Sequence, residues 1–151
     1  MAKQDGSGQV VALFTSPAQG EPMTPCAEVR ARQDHGFDGD AHARPGRPRQ
    51  VLLLEAETLA EFGIAPGALK ENITTSGLEL RRLPASTRLE VGAARLEITK
   101  DCAPCEMVNT VQPGLLEKLQ GRRGTLARVL DGGMIRVGDP IRVLDPAQLR
   151  G

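Results

Sequence analysis

Arg88-Leu-Glu-Val-Gly-Ala-Ala-Arg-Leu-Glu-Ile-Thr99 is the stretch that decides the fold class of this chain. Apolar and charged residues alternate on both sides of Gly92, with the period of two that is typical of half-buried strands. Gly92-Ala93-Ala94 has the composition of a tight hairpin loop. A second hairpin is predicted around Asp131-Gly132-Gly133, which lies between the apolar stretches 125–130 and 134–137. The sequence therefore predicts paired antiparallel strands in its second half.

Other short strands and brief helices are predicted on both sides of these hairpins. The strand candidates are Gln9–Thr15, Ala27–Arg32, Gln50–Leu54, Glu71–Thr75 (strand or turn) and Ile141–Leu144. Helical spacing of Leu59 and Phe62 predicts a short helix over 55–62, stopped by Gly63, and helical spacing of leucines predicts another over 114–120. This pattern favours a mostly β fold, a closed or strongly curled barrel of antiparallel or mixed strands with two or three short helices. Residues 1–8 are expected to form a flexible tail, and residues 9–151 a single domain.

Composition and charge exclude several classes of protein. A chain of 151 residues has the length of one domain, and its 40% hydrophobic residues are enough for a core. Nineteen basic residues balance nineteen acidic ones, which argues against a general nucleic-acid or acidic-membrane binder. No apolar run reaches the length of a membrane span, and the first residues do not have the pattern of a signal peptide. We therefore expect a cytoplasmic protein.

The sharpest chemical feature is the pair of thiols in Cys102-Ala-Pro-Cys105, directly after a predicted strand. Pro104 restricts the backbone beside Cys105, and Lys100 is a cation that would favour a thiolate. The thiols are interpreted as metal ligands or reactive groups, or alternatively as small buried apolar residues. Structural zinc is disfavoured because the other soft ligands (Cys26, His35 and His42) form no second paired motif.

A second feature is the irregular segment 36–49, which is dense in Gly, Pro, Asp and Arg. Long loops within compact domains are usually functional. Arg44, Arg47 and Arg49 could clamp an anion with their guanidinium forks, or could be a solvated surface. Lys70, beside Asn72 in a predicted turn, could bind phosphate or the edge of a heterocycle, and a plain turn is the alternative.

Taken in order, the motifs resemble the MOSC domain, a family named for the C-terminal domain of molybdenum cofactor sulfurase. The resemblance spans roughly residues 9–145. The matching pieces are Gly39-Asp-Ala-His42, Arg49-Gln-Val-Leu52, Gly67 with Lys70-Glu-Asn-Ile-Thr74, Gly77-Leu78, Leu89–Gly92 with Leu96–Ile98, Pro104-Cys105 and Val137-Gly-Asp139. The family fold is a β-rich barrel, which agrees with the strand pattern described above.

The resemblance implies binding of the molybdenum cofactor, a molybdopterin that carries a dithiolene and a phosphate. It implies that Cys105 ligates molybdenum, which suits the preference of soft thiolates for such sites. By the same resemblance, Lys70 and Asn72 help to line the cofactor. Arg49 then becomes a phosphate partner, and His42 a further residue of the pocket.

Three functions remain open from the sequence. The first is an oxidoreductase that transfers oxygen atoms at molybdenum and receives electrons from a separate reductase. The second is a sulfur carrier or cofactor-delivery protein, with a persulfide on Cys105 and Cys102 as resolving thiol. Its partners would be a cysteine desulfurase and a molybdenum enzyme, because we expect no pyridoxal-phosphate domain in this chain. The third is a non-catalytic binding module. Substrate, oligomeric state and any role of Cys26 are not predicted.

Overall fold

A computed structural model describes residues 7–103 and 107–144 of the chain. Their helices and strands, in chain order, are β1 (Ser7–Thr15), β2 (Thr24–Cys26), β3 (Glu28–Arg32), β4 (Gly36–Phe37), β5 (Val51–Glu55), α1 (Ala56–Glu61), β6 (Ile73–Ser76), β7 (Arg88–Val91), β8 (Ala94–Asp101), α2 (Val108–Val111), α3 (Leu115–Lys118), β9 (Thr125–Asp131), β10 (Gly133–Arg136) and β11 (Pro140–Leu144). A short 3-10 turn, Leu80–Arg82, precedes β7. The helices in the described residues are all too short to cross a membrane.

Seven strands close into a barrel, which confirms the prediction of a mostly β fold with a closed or strongly curled sheet. The strand order is β11-β7-β8-β9-β5-β6-β1, and β1 pairs again with β11 to complete the ring. All neighbours are antiparallel except β5 and β6, which are parallel. A parallel pair needs a crossover connection, and the chain between these two strands contains α1. The strand β2 continues this sheet beyond β1, while β10, β3 and β4 form a separate three-stranded sheet.

The hairpin of β7 and β8 is confirmed, with Val91 paired to Ala94 and Arg88 paired to Glu97. The alternation of apolar and charged residues places the apolar side chains on the inner face, where Leu89, Val91 and Leu96 are all fully buried inside the barrel. Hydrophobic residues that alternate along several strands in this way fill the interior with one continuous core.

The strand β5 is buried on both faces, and this property positions the rest of the molecule. Val51 and Leu53 belong to the core inside the barrel. On the outer face, Leu54 packs in a cluster with residues of the helices, and Leu52 packs with Cys102 and Leu126. The run Val51–Leu54 is therefore continuously apolar because helices and loops cover its outer side.

Two predictions about strands are wrong. Ser7 and Gly8 do not belong to a tail, because they are part of β1 and pair with Arg142 and Ile141 of β11. The remaining residues of the predicted tail, 1–6, lie outside the described part of the chain.

The turn Asp131-Gly132-Gly133 does not form a hairpin either. Both edges of β9 are already occupied by β8 and β5, so β10 has no free edge of β9 to pair with. Instead β10 turns away and pairs with β3, for example through Ile135 and Val29. The two glycines permit close contact with other backbone segments. A Cβ on Gly133 would overlap the carbonyl oxygen of Ala93, and one on Gly132 would lie 2.7 Å from that of Ala31.

Gly133→Ala is therefore expected to destabilise the protein by about 2–3 kcal/mol, since the added methyl group meets rigid backbone. Urea unfolding followed by circular dichroism measures the change. The control is Gly46→Ala, at a positive φ with no heavy atom near the new Cβ. It is expected to cost only about 1 kcal/mol from backbone strain. Equal losses in the two variants would show that close approach is not the reason for Gly133.

Candidate functional site

Loops between the strands line a hollow of about 310 Å³, here called the site cavity. These loops follow β1, β4 and β8 and precede β5, β6 and β9. The lining residues are Ser16, Gly20, Glu21, His42, Arg49, Lys70, Cys102, Ala103, Met107 and Arg123. Four of the sequence-predicted site residues thus share one cavity: His42, Arg49, Lys70 and Cys102.

Lys70 is positioned by a turn that is fixed from several sides. The backbone of Lys70 is left-handed, with φ of 67°, and its N–H donates to the carbonyl of Gly67. The carboxylate of the adjacent, fully buried Glu71 accepts from the N–H of Gly67 and from the hydroxyl of Thr74, both at 2.8 Å. The Lys70 ammonium itself donates to the carbonyl oxygen of Glu21 at 2.8 Å. The ammonium is therefore held at the cavity by the loop that follows β1.

Asn72 does not line the site cavity. Its side-chain oxygen accepts from the N–H of Leu52 on β5, at 2.9 Å, and its amide nitrogen donates to the carbonyl of Phe14 on β1, at 3.2 Å. Its own backbone is paired with the same two residues. The structure places Asn72 in the barrel wall, where it joins three strands and holds the turn that carries Lys70.

The thiol of Cys102 is 95% buried and packs against Leu52 and Leu126, yet it borders the cavity. The Cys102 N–H donates to the carbonyl of Gly124, which fixes the chain just beyond β8. Cys105 lies outside the described residues. Ala103 and Met107, the described residues on either side of 104–106, both line the cavity.

Arg123 is a cavity residue that the sequence analysis missed. It is 97% buried, and its Nη2 donates to the carbonyl oxygen of Leu69 at 2.6 Å, beside the Lys70 turn. A buried arginine needs polar partners, so it is a stronger sign of a site than an exposed one. The sequence signal is weak, because Arg122-Arg123 reads as an ordinary polar loop before β9.

His42 and Arg49 belong to the long loop between β4 and β5. This loop is joined to the β1–β2 loop by Asp40, whose carboxylate accepts from the N–H of Ser16 at 2.6 Å. The N–H of Ala41 in turn donates to the carbonyl of Ser16 at 2.8 Å. These bonds hold the half-buried His42 at the cavity, while Arg49 is exposed at its rim.

Cys26 is not a lining residue of the site cavity. It lies on β2, opposite Leu13 of β1, and is half-buried. Burial raises the pKa of its thiol, and the negative charge of Asp40 raises that pKa further. Within residues 7–103 and 107–144, no three His, Cys, Asp or Glu side chains are grouped to hold a metal ion.

We expect Asp40→Asn to accelerate alkylation of Cys26. Removing the negative charge lowers the pKa of the thiol, so at a fixed pH below that pKa the reactive thiolate becomes more abundant. The measurement is the rate of iodoacetamide labelling against pH, read by peptide mass spectrometry. Asp38→Asn, which removes an exposed carboxylate paired with Arg32, is the control. An unchanged rate in Asp40→Asn would contradict the prediction.

Comparison with known proteins agrees with this architecture. Among solved structures, the chain is similar to the YuaD protein from Bacillus subtilis, with 19% identity, a TM-score of 0.77, and 91% of this chain and 95% of that chain covered. It is also similar to YiiM from Geobacillus stearothermophilus, with 20% identity and a TM-score of 0.73, over 91% of this chain and 75% of that one. At these identities, the likeness shows the fold alone.

YiiM from Escherichia coli gives a third structural match, with 20% identity, a TM-score of 0.69, and 91% of this chain and 70% of that chain covered. No curated protein matches the sequence significantly. The sequence model of the MOSC domain matches residues 38–142, which is more than half of the chain. Together with the closed barrel, this match shows that the chain belongs to the MOSC domain family.

Proposed function

We propose that this chain binds the molybdenum cofactor in the site cavity, with the Cys105 thiolate as a ligand of molybdenum. The MOSC family is associated with that cofactor. The observation that carries the proposal is the shared cavity, which brings Lys70, Arg49, Arg123 and the Cys102 thiol together. Ala103 and Met107, which precede and follow residues 104–106 in the chain, line the same cavity.

The residues of the cavity fit the chemistry of a pterin that carries a phosphate and a dithiolene. Three cationic side chains line the cavity, and Glu21 is the single carboxylate residue among the lining residues of the described chain. Guanidinium and ammonium groups match a phosphate, while thiolates match a soft metal centre. The volume of about 310 Å³ lies at the small end of ordinary ligand pockets.

Each residue then has a role that follows from its position. Arg49, at the rim, binds the phosphate through its planar fork, and the Lys70 ammonium adds a second positive charge. Arg123 holds the Leu69 carbonyl and so keeps the Lys70 turn against the cavity. When bound, the cofactor supplies a redox-active metal for oxygen-atom transfer, and electrons come from a separate reductase.

The test is elemental and pterin analysis of the protein purified from a molybdenum-replete host. We expect about one molybdenum and one pterin per chain, and an Arg49→Gln/Lys70→Gln variant that retains much less of both. The matched control is Arg95→Gln/Lys118→Gln, which removes the same charge from residues that line neither this cavity nor its rim. Wild-type protein without pterin and molybdenum would refute the proposal.

A sulfur carrier is the second candidate, and the position of Cys102 favours it. Cys102 borders the cavity three residues before Cys105. A desulfurase would transfer sulfane sulfur to Cys105. The Cys102 thiolate could then attack the inner sulfur of this persulfide, forming a disulfide and releasing hydrosulfide.

The test of the sulfur carrier is incubation of the protein with a cysteine desulfurase and sulfur-labelled cysteine. Label on Cys105 that is released only when Cys102 is present would support the carrier, and an unlabelled protein would refute it.

A further inference from the structure

A second hollow of about 290 Å³, here called the basic hollow, adjoins the site cavity. Its lining residues are Gln19, His42, Arg44, Arg47, Pro48, Arg49 and Lys100. Four of them are cations, and the described lining contains no carboxylate. Since His42 and Arg49 line both hollows, the basic hollow continues the site cavity outward.

The cations of the basic hollow differ in their ion pairing from most arginines of this protein. Eight arginines elsewhere in the described chain form ion pairs with Asp or Glu. None of these pairs includes Arg44, Arg47, Arg49 or Lys100. The whole chain carries equal numbers of acidic and basic residues, so four cations around one hollow are a local excess of positive charge. Such an excess attracts an anion.

The backbone that carries these arginines is held in place by hydrogen bonds. The Asp34 carboxylate accepts from the N–H of Gly46 and from the side-chain amide of Gln50, both at 3.1 Å. The hydroxyl of Thr99, on β8, donates to the carbonyl oxygen of Pro48 at 2.6 Å. A loop fixed at several points presents its side chains at a lower entropic cost on binding.

We propose that the basic hollow is a second anion subsite, which takes the outer phosphoryl group of a diphosphate-bearing ligand. The proposal rests on the proposed function, in which the inner phosphoryl group lies in the site cavity beside Arg49. Arg49 borders both hollows, and a diphosphate offers one phosphoryl group to the cations of each hollow. The diphosphate belongs either to a cofactor extended by a nucleotide or to a separate nucleoside diphosphate.

The concave shape favours a small ligand over an acidic protein. A stable protein interface covers about 800 Å² on each partner, whereas these cations surround a hollow of ligand size. Arginine forks also form paired hydrogen bonds with phosphoryl oxygens, which adds specificity for such groups. Arg44 and Arg47 are therefore the residues that distinguish a diphosphate from a single phosphate.

Calorimetric titration of the full-length, cofactor-free protein with pyrophosphate and with inorganic phosphate at low salt tests the subsite. We expect pyrophosphate to bind at least about tenfold more tightly than phosphate. Arg44→Gln/Arg47→Gln should remove this preference and leave phosphate binding nearly unchanged. The control Arg128→Gln/Arg142→Gln removes the same charge from exposed ion pairs on the barrel and should keep the preference.

Equal affinities for the two anions, or a preference that survives Arg44→Gln/Arg47→Gln, would overturn the subsite. Binding of a glutamate-rich peptide through the same arginines, without a preference for pyrophosphate, would overturn it in favour of protein docking.

A further measurement distinguishes the two sources of the diphosphate. Nucleotide released by acid hydrolysis of the copurified cofactor supports an extended cofactor, whereas tight ADP binding without such release supports a separate nucleotide. Copurified molybdenum and pterin without any pyrophosphate preference would refute the subsite and leave the proposed function standing.

Discussion

Asn72→Ala is expected to lower the free energy of unfolding by about 2–4 kcal/mol, although Asn72 does not line the cavity. The side chain is 95% buried and bonds the N–H of Leu52 and the carbonyl of Phe14. Its removal leaves one donor and one acceptor without a partner between β5, β6 and β1. Burying unpaired polar groups is costly because both are hydrogen-bonded to water in the unfolded chain.

Urea unfolding of the cofactor-free protein, followed by circular dichroism, measures this loss. The matched control is Asn109→Ala. Asn109 is only partly buried, and its side chain accepts a single backbone hydrogen bond, from Leu116. We expect it to cost about 1 kcal/mol, as for the loss of a helix cap. A loss in Asn72→Ala no greater than in Asn109→Ala would show that Asn72 is dispensable for joining the strands.

Asn72 also shows where sequence reasoning stops. The resemblance to the MOSC family picked out the turn that contains both Lys70 and Asn72, and the structure brings Lys70 to the cavity. Sequence cannot tell that the side chain of Lys70 lines the cavity while that of Asn72 lies in the barrel wall. That distinction depends on which strands flank the turn, and β1 lies more than fifty residues away along the chain.

The barrel itself was predictable because its strands are local patterns. Alternation in β7 and β8, and the continuous apolar run of β5, depend only on neighbouring residues. The partner of β10 was not predictable in this way. The turn at Gly132-Gly133 looks like a hairpin, but the pairing of β9 on both edges sends β10 to β3, about one hundred residues earlier.

The cavity was predictable only where residues stand out by type. Cys102, His42 and Arg49 drew attention through the paired thiols and the arginine-rich loop. Arg123 did not, since its burial arises from the packing of the loop before β9 over the Lys70 turn. The continuity of the two hollows is likewise a property of the fold, because it joins Lys100 on β8 to a loop more than fifty residues earlier in the chain.

Cys105→Ser is expected to abolish molybdenum retention while the protein still folds. A serine hydroxyl is nearly isosteric with the thiol, but it stays protonated near neutral pH and is a hard donor, so it is a poor ligand for a soft metal site. The measurement is molybdenum per chain by elemental analysis, with pterin determined on the same samples. Thermal unfolding of each variant checks that the barrel is intact.

The other two cysteines provide matched controls that separate the candidate functions. Cys26→Ser, on β2 and away from the cavity lining, should retain molybdenum fully. Cys102→Ser should also retain it if Cys105 alone is the ligand, whereas release of hydrosulfide from a persulfide at Cys105 would then be lost. Full molybdenum content in Cys105→Ser would eliminate Cys105 as the ligand. If Cys102→Ser alone lost the metal, the buried thiol that borders the cavity would have to take that role, and its packing against Leu52 and Leu126 would have to open on binding.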